Sequence, residues 1–221
     1  MISVIMSTRN SEKTLSESIE SILSQTYKDF EFLIVDDASN DNSSKIIKKY
    51  VDLDQRIKHF TNLHNIGLTK SLNSLIDKSR YKYIARQDSD DLSENTRFEK
   101  QIALLENSNY KICTTRAKII DKNILIPNLS YYLPHKYSIK FKNPFIHGTL
   151  MIQKKLLIEI GKYDESFYYA QDYKLFIDLI KNGEKVKMIK EPLYQLNMSN
   201  NISSTNKYQQ KKYAKKARTY L

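Results

Sequence analysis

The amino-acid sequence predicts an α/β fold: a doubly wound, mainly parallel sheet flanked by helices. Two observations carry this prediction. In residues 1–107, short apolar runs typical of buried strands alternate four times with segments whose apolar residues recur at helical spacing. The links between these segments are short, as in sheets whose strands are joined by crossover helices. Because 221 residues suffice for one well-buried core, we expect one domain over 1–205 and a basic helical extension over 206–221.

The elements of the first half follow one another in strict alternation. Strands are predicted at residues 2–6, 30–35, 57–61 and 81–85. Helices are predicted at 14–25, 43–51 and 68–76, and a fourth reaches Glu106 with Ser93 as its N-terminal cap. Sheets of this class bind ligands beyond the carboxyl ends of their strands. The polar groups that follow the first, second and fourth strands therefore mark the expected binding site.

The second half is less regular. Residues 110–143 hold several short extended segments, with turns near Pro127 and Pro134. A strand is predicted over 145–152, followed by a helix over 153–160 that Gly161 ends and an amphipathic helix over 170–181. The segment from 206 onward is predicted to be helical. No repeat or linker divides the chain, which favours a single domain.

The composition is that of a soluble globular protein. Hydrophobic residues make up 40% and charged residues 28% of the chain. No apolar stretch approaches the roughly 18 residues that a transmembrane helix needs. The first residues read as a strand and lack the basic start of a signal peptide, and Cys113 is the only cysteine. A single thiol fits a reducing compartment, so we expect a cytoplasmic location.

The net charge of +11 makes the surface basic. Such a surface attracts nucleic acid, anionic lipid or phosphorylated small molecules, and charge alone does not choose among them. Residues 206–221 carry six of the positive charges and no acidic residue. This segment is consistent with a solvated helix, with peripheral contact to an anionic membrane, or with oligomerisation. The sequence leaves these alternatives and the oligomeric state open.

A cluster of aspartates follows the fourth predicted strand. Asp88, Asp90 and Asp91 fall within four residues, and on an extended segment Asp88 and Asp90 point to the same side. Carboxylate oxygens suit Mn²⁺ and Mg²⁺, which complete their coordination with substrate phosphate and water. An acidic loop without a ligand is the simpler alternative, but the cluster lies where such sheets bind ligands. The sequence therefore favours a site for Mn²⁺ or Mg²⁺ and a phosphorylated substrate.

A second acidic pair, Asp36-Asp37, ends the second predicted strand. An acidic side chain there can accept hydrogen bonds from a nucleotide base or ribose, and a turn that caps the next helix explains the pair equally well. Neither a Gly-x-Gly-x-x-Gly motif nor a P-loop occurs in the chain, which argues against a dinucleotide fold and a P-loop enzyme. Phosphate binding without a glycine-rich loop favours a metal, in agreement with the aspartate cluster.

Several motifs occur together in one order. They are Ile2-Ser3-Val4-Ile5-Met6-Ser7-Thr8-Arg9-Asn10, Ser21-Ile22-Leu23-Ser24-Gln25-Thr26-Tyr27, Glu31-Phe32-Leu33-Ile34-Val35-Asp36-Asp37-Ala38-Ser39, Tyr83-Ile84-Ala85-Arg86-Gln87-Asp88-Ser89-Asp90-Asp91, Asn143-Pro144-Phe145-Ile146-His147-Gly148-Thr149, and Tyr163-Asp164-Glu165 with Asp172. In this combination the chain resembles the family 2 glycosyltransferases, inverting enzymes of the GT-A fold, over roughly residues 1–196. The resemblance implies a Rossmann-like domain in which 1–107 bind a nucleotide-sugar and 108–205 bind the acceptor.

The resemblance also implies roles for matching residues. The nucleotide-sugar site would comprise Ser7, Thr8, Arg9, Asp37, Asn65, Lys70, Arg86, Asp88, Ser89 and Asp90. Within it Asp37 would accept from the uracil of a UDP-sugar. Asp90, with Asp88 beside it in the DXD element, would hold the metal. Arg86 would brace this cluster, reach a phosphate or form a structural salt bridge.

Asp172 would be the catalytic base, because an inverting transfer needs a carboxylate to take the proton of the attacking hydroxyl. Asp91, His147 and Gln171 would lie near the donor or acceptor, although a lone histidine beside a strand is often structural. Two positions depart from the family pattern. Gln171 stands where the family has glutamate, and Arg9 stands where it often has tyrosine. A guanidinium can also stack on a base, so Arg9 is compatible with nucleotide binding.

The sequence thus predicts a metal-dependent glycosyltransferase that uses a UDP-sugar and a glycan or lipid-linked acceptor. Surface polysaccharide assembly is the setting that the resemblance implies. Three alternatives stay open. A non-catalytic homologue would explain Gln171, and nucleotidyl transfer lacks the glycine-rich loop that it needs. A nucleic-acid-binding module fits the charge but lacks a recognition motif, so no nucleic-acid partner is expected.

Overall fold

A mixed sheet forms the centre of the structure, a computed structural model that describes residues 1–122, 124–198 and 206–221. Its strands within these ranges are β1 (Ile2–Thr8), β2 (Phe30–Asp36), β3 (Ile57–Thr61), β4 (Tyr83–Arg86), β5 (Leu92–Ser93), β6 (Ile112–Ile119), β7 (Ile124–Ile126), β8 (Met151–Gln153) and β9 (Val186–Leu196). The order across the sheet is β3-β2-β1-β4-β8-β6-β9-β5, and β7 pairs with β6.

Helices cover both faces of this sheet. They are α1 (Leu15–Leu23), α2 (Ser43–Leu53), α3 (Leu68–Lys78), α4 (Arg97–Glu106), α5 (His135–Ser138), α6 (Lys154–Glu159), α7 (Gln171–Lys181) and α8 (Lys207–Arg218). Short 3₁₀ turns lie at Ile120–Lys122, Leu129–Tyr132 and His147–Thr149. None of the helices that the structure describes is long and apolar enough to cross a membrane.

The first four strands form a parallel block. β1 lies between β2 and β4, and β3 flanks β2, all in parallel register. β1 and β2 are buried on both faces because apolar side chains point alternately into two cores. One core contains α1, α2 and α4, and the other contains α3 and α7. The predicted α/β class with flanking helices is confirmed, and the carboxyl ends of β1, β2 and β4 meet at one edge.

Beyond β4 the sheet becomes mixed. β8 is antiparallel to both β4 and β6, whereas β6 and β9 are parallel. The two-residue strand β5, which directly follows the aspartate cluster, pairs with β9. The end of β9 therefore lies beside the loop that follows β4.

Two of the predicted elements are wrong in detail. Ser93 does not cap a helix: it lies in β5, its hydroxyl donates to Gln87 Oε1 at 2.7 Å, and α4 begins at Arg97. The strand expected over 145–152 is mostly not a strand. A 3₁₀ turn at His147–Thr149 interrupts it, and only Met151–Gln153 pairs with neighbouring strands. In both places buried polar contacts outweigh the local propensity: Ser93 bonds to Gln87, and in the turn Thr149 Oγ1 donates to the Ile146 carbonyl while the Thr149 carbonyl accepts from Gln101 Nε2.

Strand β9 has no counterpart among the predicted elements. Its sequence, VKMIKEPLYQL, contains charged residues and Pro192, which usually argue against a strand. The register against β6 jumps from Ile189 to Pro192, so a bulge accommodates the proline and its two preceding residues. The predicted ends of α6 and α7 are confirmed, with Gly161 and Gly183 at φ +88° and +83°.

The predicted C-terminal helix is present as α8 and packs on the domain. Ala217 is fully buried in the core that also contains α7, and Tyr213 and Ala214 pack against that core. Tyr213 makes an edge contact with Phe167, with ring centroids 5.8 Å apart. The basic side chains of α8 lie on its exposed side. The helix thus has one face in the fold and one in solvent.

Candidate functional site

The loops after β1 and β2 are fastened to each other. The backbone N–H of Asn10 donates to Ser39 Oγ at 3.0 Å, and that of Asn40 donates to Asn10 Oδ1 at 2.8 Å. Ser7 and Thr8 end β1, and the buried Thr8 Oγ1 has no hydrogen-bond partner. Arg9 is exposed at the start of the loop. An unpaired buried hydroxyl costs free energy unless a ligand or water completes it, so Thr8 Oγ1 is available to a ligand at this edge.

Asp37 organises the loop after β3. Its Oδ1 accepts from Asn62 Nδ2 at 2.8 Å and from the N–H of Ile66 at 2.9 Å, and its Oδ2 accepts from the N–H of Gly67 at 2.9 Å. The carboxylate is buried, and Oδ2 keeps acceptor capacity for a further donor. Asn65 and Lys70 are exposed on this loop and on α3. Asp37 therefore sets the position of both.

The aspartate loop is built around Gln87, which is fully buried. Its Nε2 donates to Ser18 Oγ and to the carbonyls of Asp88 and Asp91, at 3.0, 3.1 and 2.8 Å. Polar residues of α1 hold the same loop, since Ser18 Oγ donates to the Asp88 carbonyl at 2.8 Å. Ser89 Oγ lies 3.0 Å from Ser11 Oγ. These hydrogen bonds fix the backbone of the loop and leave the carboxylate side chains as its variable part.

Two buried arginines support the loop. Arg86 Nη2 donates to Asp88 Oδ1 at 2.5 Å, and its Nη1 donates to the carbonyls of Ile5 and Gln87. Arg97 donates to the carbonyls of Gly148 and Arg86, at 2.6 and 3.0 Å, and burial lowers its pKa to about 10. Of the roles considered for Arg86, bracing the aspartate cluster and forming a structural salt bridge with Asp88 are both compatible with this geometry.

The negative charges of Asp88, Asp90 and Asp91 are only partly balanced by positive charges of the protein. Burial, and then the charge of Asp88, raise the pKa of Asp90 to about 6. Burial and the charges of Asp88 and Asp90 also raise the pKa of Asp91, whose Oδ1 accepts from the N–H of Asn197 at 2.8 Å. A divalent cation would relieve this repulsion. Asp88 and Asp90 supply hard oxygen donors that fit Mn²⁺ or Mg²⁺.

The protein alone does not complete a metal site. Within the ranges that the structure describes, no three His, Cys, Asp or Glu side chains converge on a point that could hold an ion. Two carboxylates leave most of a six-coordinate shell to other oxygens. The donor set therefore fits a cation that is shared with substrate phosphates rather than one held by the protein throughout.

Gly148 lets strand β9 reach the aspartate loop. Tyr194 on β9 is fully buried, and its hydroxyl accepts from the N–H of Asp88 at 3.1 Å. A Cβ on Gly148 would lie 2.2 Å from Tyr194 Oη and 2.9 Å from Asp88 Oδ2. Any side chain at position 148 would therefore displace the tyrosine or the aspartate.

His147 and Tyr163 connect the aspartate loop with Asp172. His147 Nε2 lies 2.7 Å from Tyr163 Oη. Burial, and then the charge of Arg86, lower the pKa of His147, while Asp88 and Asp172 oppose them. Burial raises the pKa of Tyr163, and the charges of Asp172 and Asp88 add to that rise. Asn143, four residues before His147, donates to Asp172, and Gly148 lies against Asp88, so Asp172 lies on the aspartate-loop side of the molecule.

Asp172 lies in the first turn of α7. Its Oδ2 accepts from Asn143 Nδ2 at 2.7 Å, which orients the carboxylate. A negative charge in this turn interacts favourably with the helix N-terminus. Gln171, the preceding residue, is buried.

The segment before α7 is tied to two other helices. Ala170 has φ +52°, and its N–H donates to Gln210 Oε1 of α8 at 3.1 Å. Thr69 Oγ1 of α3 donates to the carbonyl of Phe167 at 3.0 Å. The start of α7, and with it Asp172, is therefore positioned from both sides.

Several residues of this site were not among the predicted ones. Gln87, Tyr194, Asn143 and Tyr163 hold the loop or the base, and no role was assigned to them. Asn143, Tyr163 and Gln87 lie inside the motifs that carry the family resemblance, so these three residues could be identified from the sequence. Tyr194 gave no signal, because the strand that carries it was not predicted.

The sequence matches the family model described as glycosyl transferase family 2 over residues 3–163. An uncharacterized glycosyltransferase of Methanocaldococcus jannaschii, MJ1057, is 38% identical over 210 residues, covering 90% of this chain and 71% of the relative. The O-antigen biosynthesis glycosyltransferase WbnJ of Escherichia coli is 35% identical over 191 residues, covering 85% and 74%. The chain belongs to glycosyltransferase family 2.

A solved structure supports the fold of this family 2 protein. The S. aureus TarS structure in complex with UDP-GlcNAc superposes with a TM-score of 0.80 at 20% identity, over 93% of this chain. The chain spans 60% of the length of the TarS protein in that structure. The predicted GT-A architecture and the predicted family are both confirmed.

Proposed function

We propose that this chain is a metal-dependent, inverting glycosyltransferase that moves a hexosyl group from a UDP-sugar to a hydroxyl of a glycan or lipid-linked acceptor. The observation that carries the proposal is that residues 143–148 meet both carboxylates: Asn143 Nδ2 donates to Asp172 at 2.7 Å, and a Cβ on Gly148 would lie 2.9 Å from Asp88 Oδ2. A carboxylate suited to a cation and its diphosphate, and a carboxylate suited to a base, thus share one region. Transfer between two substrates needs this arrangement.

In the proposed reaction the acceptor hydroxyl attacks the anomeric carbon of the donor. The bond from that carbon to the acceptor oxygen forms as its bond to the diphosphate oxygen breaks, and the electron pair leaves with UDP. Asp172 takes the hydroxyl proton. The hydrogen bond from Asn143 Nδ2 keeps one carboxylate oxygen in place, so the other is free to face the acceptor.

Asp90 and Asp88 would hold Mn²⁺ or Mg²⁺, which when bound offsets the charge that develops on the leaving diphosphate. Arg86 fixes the orientation of Asp88 through its bond to Oδ1. Thr8, Ser7 and Arg9 line the loop where the base and ribose are proposed to bind. Asp37 would accept from uracil through Oδ2 while it holds the loop that carries Asn65. Lys70, exposed on α3, would approach the donor, and Ser89 and Asp91 complete the loop.

Calorimetric titration with UDP tests the donor site. We expect binding that strengthens at least tenfold when Mn²⁺ is added, because the cation links the carboxylates to the diphosphate. Equal affinity with Mn²⁺ and with EDTA would remove the role proposed for Asp88 and Asp90. No binding under either condition would contradict the UDP-sugar proposal itself.

Asp172→Asn tests the base. We expect transfer and slow donor hydrolysis to fall roughly 10²–10⁴-fold, the contribution of general-base catalysis, because the amide cannot accept the proton. UDP affinity should change less than twofold. Asp164→Asn is the matched control, because it replaces another carboxylate by an amide, on the segment before α7. Full activity of Asp172→Asn would disprove the assignment.

A second candidate function is nucleotide-sugar binding without transfer. The observation in its favour is Gln171, a buried amide next to the proposed base where the family has a second acid. Slow hydrolysis of the UDP-sugar in the absence of acceptor separates the two functions, since a binder gives none. Gln171→Glu should raise the turnover of a weak enzyme and leave a pure binder inactive.

The proposed biological setting is surface polysaccharide assembly in the cytoplasm. The name of the relative WbnJ, an O-antigen biosynthesis glycosyltransferase, supports this setting. Residues 206–221 are proposed to contact an anionic membrane, because their basic side chains lie on the exposed face of α8. No nucleic-acid partner is proposed. A screen of UDP-sugars for thermal stabilisation would identify the donor.

A further inference from the structure

Two segments of the chain hold most of its excess positive charge. Residues 122–158 and 192–221 contain no Asp or Glu. Nine exposed cations lie in two parts of these segments, 132–142 and 206–221, against a net charge of +11 for the whole chain. They are Lys136, Lys140, Lys142, Lys207, Lys211, Lys212, Lys215, Lys216 and Arg218. The positive charge is therefore local, not spread over the surface.

The two segments meet in the fold. Arg218 Nη1 at the end of α8 donates to the carbonyl of Phe141 at 2.8 Å. On α8, Lys207, Lys211, Lys215 and Arg218 are spaced by four, four and three residues and so lie on one face. This cationic row ends at the contact with Phe141. It thus continues directly onto the segment that contains α5.

Large apolar side chains are exposed among these cations. Phe141 is 76% exposed, Tyr132 is 71% exposed and Tyr137 is 58% exposed. Tyr137 and Phe141 are four residues apart on the turn of helix that begins with α5, so their rings extend from one side of it. Leu133 is exposed in the same segment. Exposed aromatic rings interleaved with lysines are the pattern of a surface that enters the headgroup region of a bilayer.

This surface borders the proposed acceptor side of the site. Asn143, which holds Asp172, follows Phe141 by two residues. Gln210 on α8 holds the segment before α7. A binding partner that contacts Phe141 and the cationic row would therefore lie next to Asp172 rather than next to the loops after β1 and β2.

We propose that residues 132–142 and the cationic row of α8 form one docking surface for an anionic lipid bilayer, with the base side of the domain turned toward the membrane. Nine cations without an acidic neighbour in their segments supply the attraction. The aromatic side chains supply burial in the headgroup region. The docking surface is inferred from charge and exposure alone. Its role in bringing a lipid-linked acceptor to Asp172 rests on the proposed function.

Co-sedimentation with vesicles tests the surface. The full chain is mixed with vesicles of phosphatidylcholine, with and without about one third phosphatidylglycerol, at several salt concentrations. We expect binding to the anionic vesicles only, weakening as salt increases. Tyr137→Ser with Phe141→Ser, and separately Lys211→Glu with Lys215→Glu, should each weaken binding at least tenfold.

The matched control changes the same chemistry elsewhere. Lys48→Glu, Lys49→Glu and Leu53→Ser alter exposed residues of α2 and should leave vesicle binding unchanged. UDP titration on every sample checks that the fold and donor site are intact. Vesicle binding without UDP binding would support the docking surface but contradict the proposed function. Failure of one proposal can therefore be distinguished from failure of the other.

Four results would overturn the proposal. The first is absence of binding to anionic vesicles by a chain that binds UDP. The second is equal binding by the surface variants and the wild type. The third is a dimer in sedimentation velocity that the Tyr137→Ser, Phe141→Ser variant dissociates, because a second copy would then cover these rings. The fourth is displacement of the chain from vesicles by sub-stoichiometric RNA.

Discussion

At the scale of single residues, the aspartate loop depends on a close approach that only glycine permits. The Cα of Gly148 lies against the hydroxyl of Tyr194 and against Asp88, and Arg97 holds the Gly148 carbonyl. The loop is therefore positioned by packing as well as by hydrogen bonds. Asp88 has little freedom to adjust, which suits a carboxylate that has to meet a cation at a fixed place.

Gly148→Ala should lower Mn²⁺-dependent UDP affinity at least tenfold. The added Cβ would lie 2.2 Å from Tyr194 Oη, so the tyrosine or Asp88 has to move, and overpacking costs about 1–3 kcal/mol of stability. Calorimetry with UDP and Mn²⁺, beside a thermal melt, measures both effects. Gly161→Ala is the control: at φ +88° it strains the end of α6 and destabilises the fold, but affinity should be retained. Equal affinity losses in both variants would show a general effect of instability.

The raised pKa of Asp90 predicts how stability depends on pH in the metal-free protein. Because the folded pKa of about 6 exceeds the ordinary 3.8, the folded state binds this proton more tightly than the unfolded state. The contribution of Asp90 is therefore most favourable below pH 4 and is lost as the pH rises through 6. Relative to Asp90→Asn, the wild type should lose on the order of 2 kcal/mol between pH 4 and 7.

Urea unfolding in EDTA at several pH values measures this difference. The exposed Asp52→Asn is the control and should follow the wild type. Parallel curves for the wild type and Asp90→Asn would contradict the repulsion between Asp88 and Asp90.

At the scale of elements, α8 acts on the site through the segment that starts α7. Gln210→Ala removes the acceptor of the Ala170 N–H, which sits in a left-handed conformation that needs outside support. We expect kcat to fall about threefold to tenfold with little change in the KM for the donor, because Asp172 shifts while the donor loops stay in place. Gln210→Glu keeps an acceptor and should recover most of the activity. Gln209→Ala, on the same helix, should behave as the wild type.

The elements also show where sequence reasoning succeeds and where it ends. β1 to β4 and their helices could be predicted because apolar periodicity decides local structure around strands such as β1 and β2, which are buried on both faces. β9 could not, because its bulge and Pro192 hide the alternation and its partners lie about 70 to 100 residues away. The same limit applies to Tyr194. Asp88, Asp90 and Asp172 carry recognisable chemistry, whereas a tyrosine that supports them carries none until the chain is folded.

At the scale of the whole molecule, both cores share one sheet, and α8 belongs to one of them. Ending the chain after residue 205 would expose the surfaces that Ala217 and Tyr213 cover. We expect this truncation to destabilise the domain by about 2–5 kcal/mol and to lower the melting temperature by several degrees. Lys211→Glu with Lys215→Glu keeps the buried face and should melt like the wild type. An unchanged melting temperature after truncation would show that α8 only rests on the domain.

Strand β9 is synthesised long after the aspartate loop that it supports, so the parts of the molecule form in a fixed order during translation. Asp88 is made early, but the tyrosine that holds its N–H and the backbone that holds Asp91 are residues 194 and 197. A nascent chain folds from its N-terminus as it leaves the ribosome, so its parallel block can form long before the aspartate loop is supported. Residues 1–107 released alone would carry every proposed donor contact and still lack this support. The ability to hold a nucleotide-sugar would therefore arise only after residues 194 and 197 have been made and have emerged.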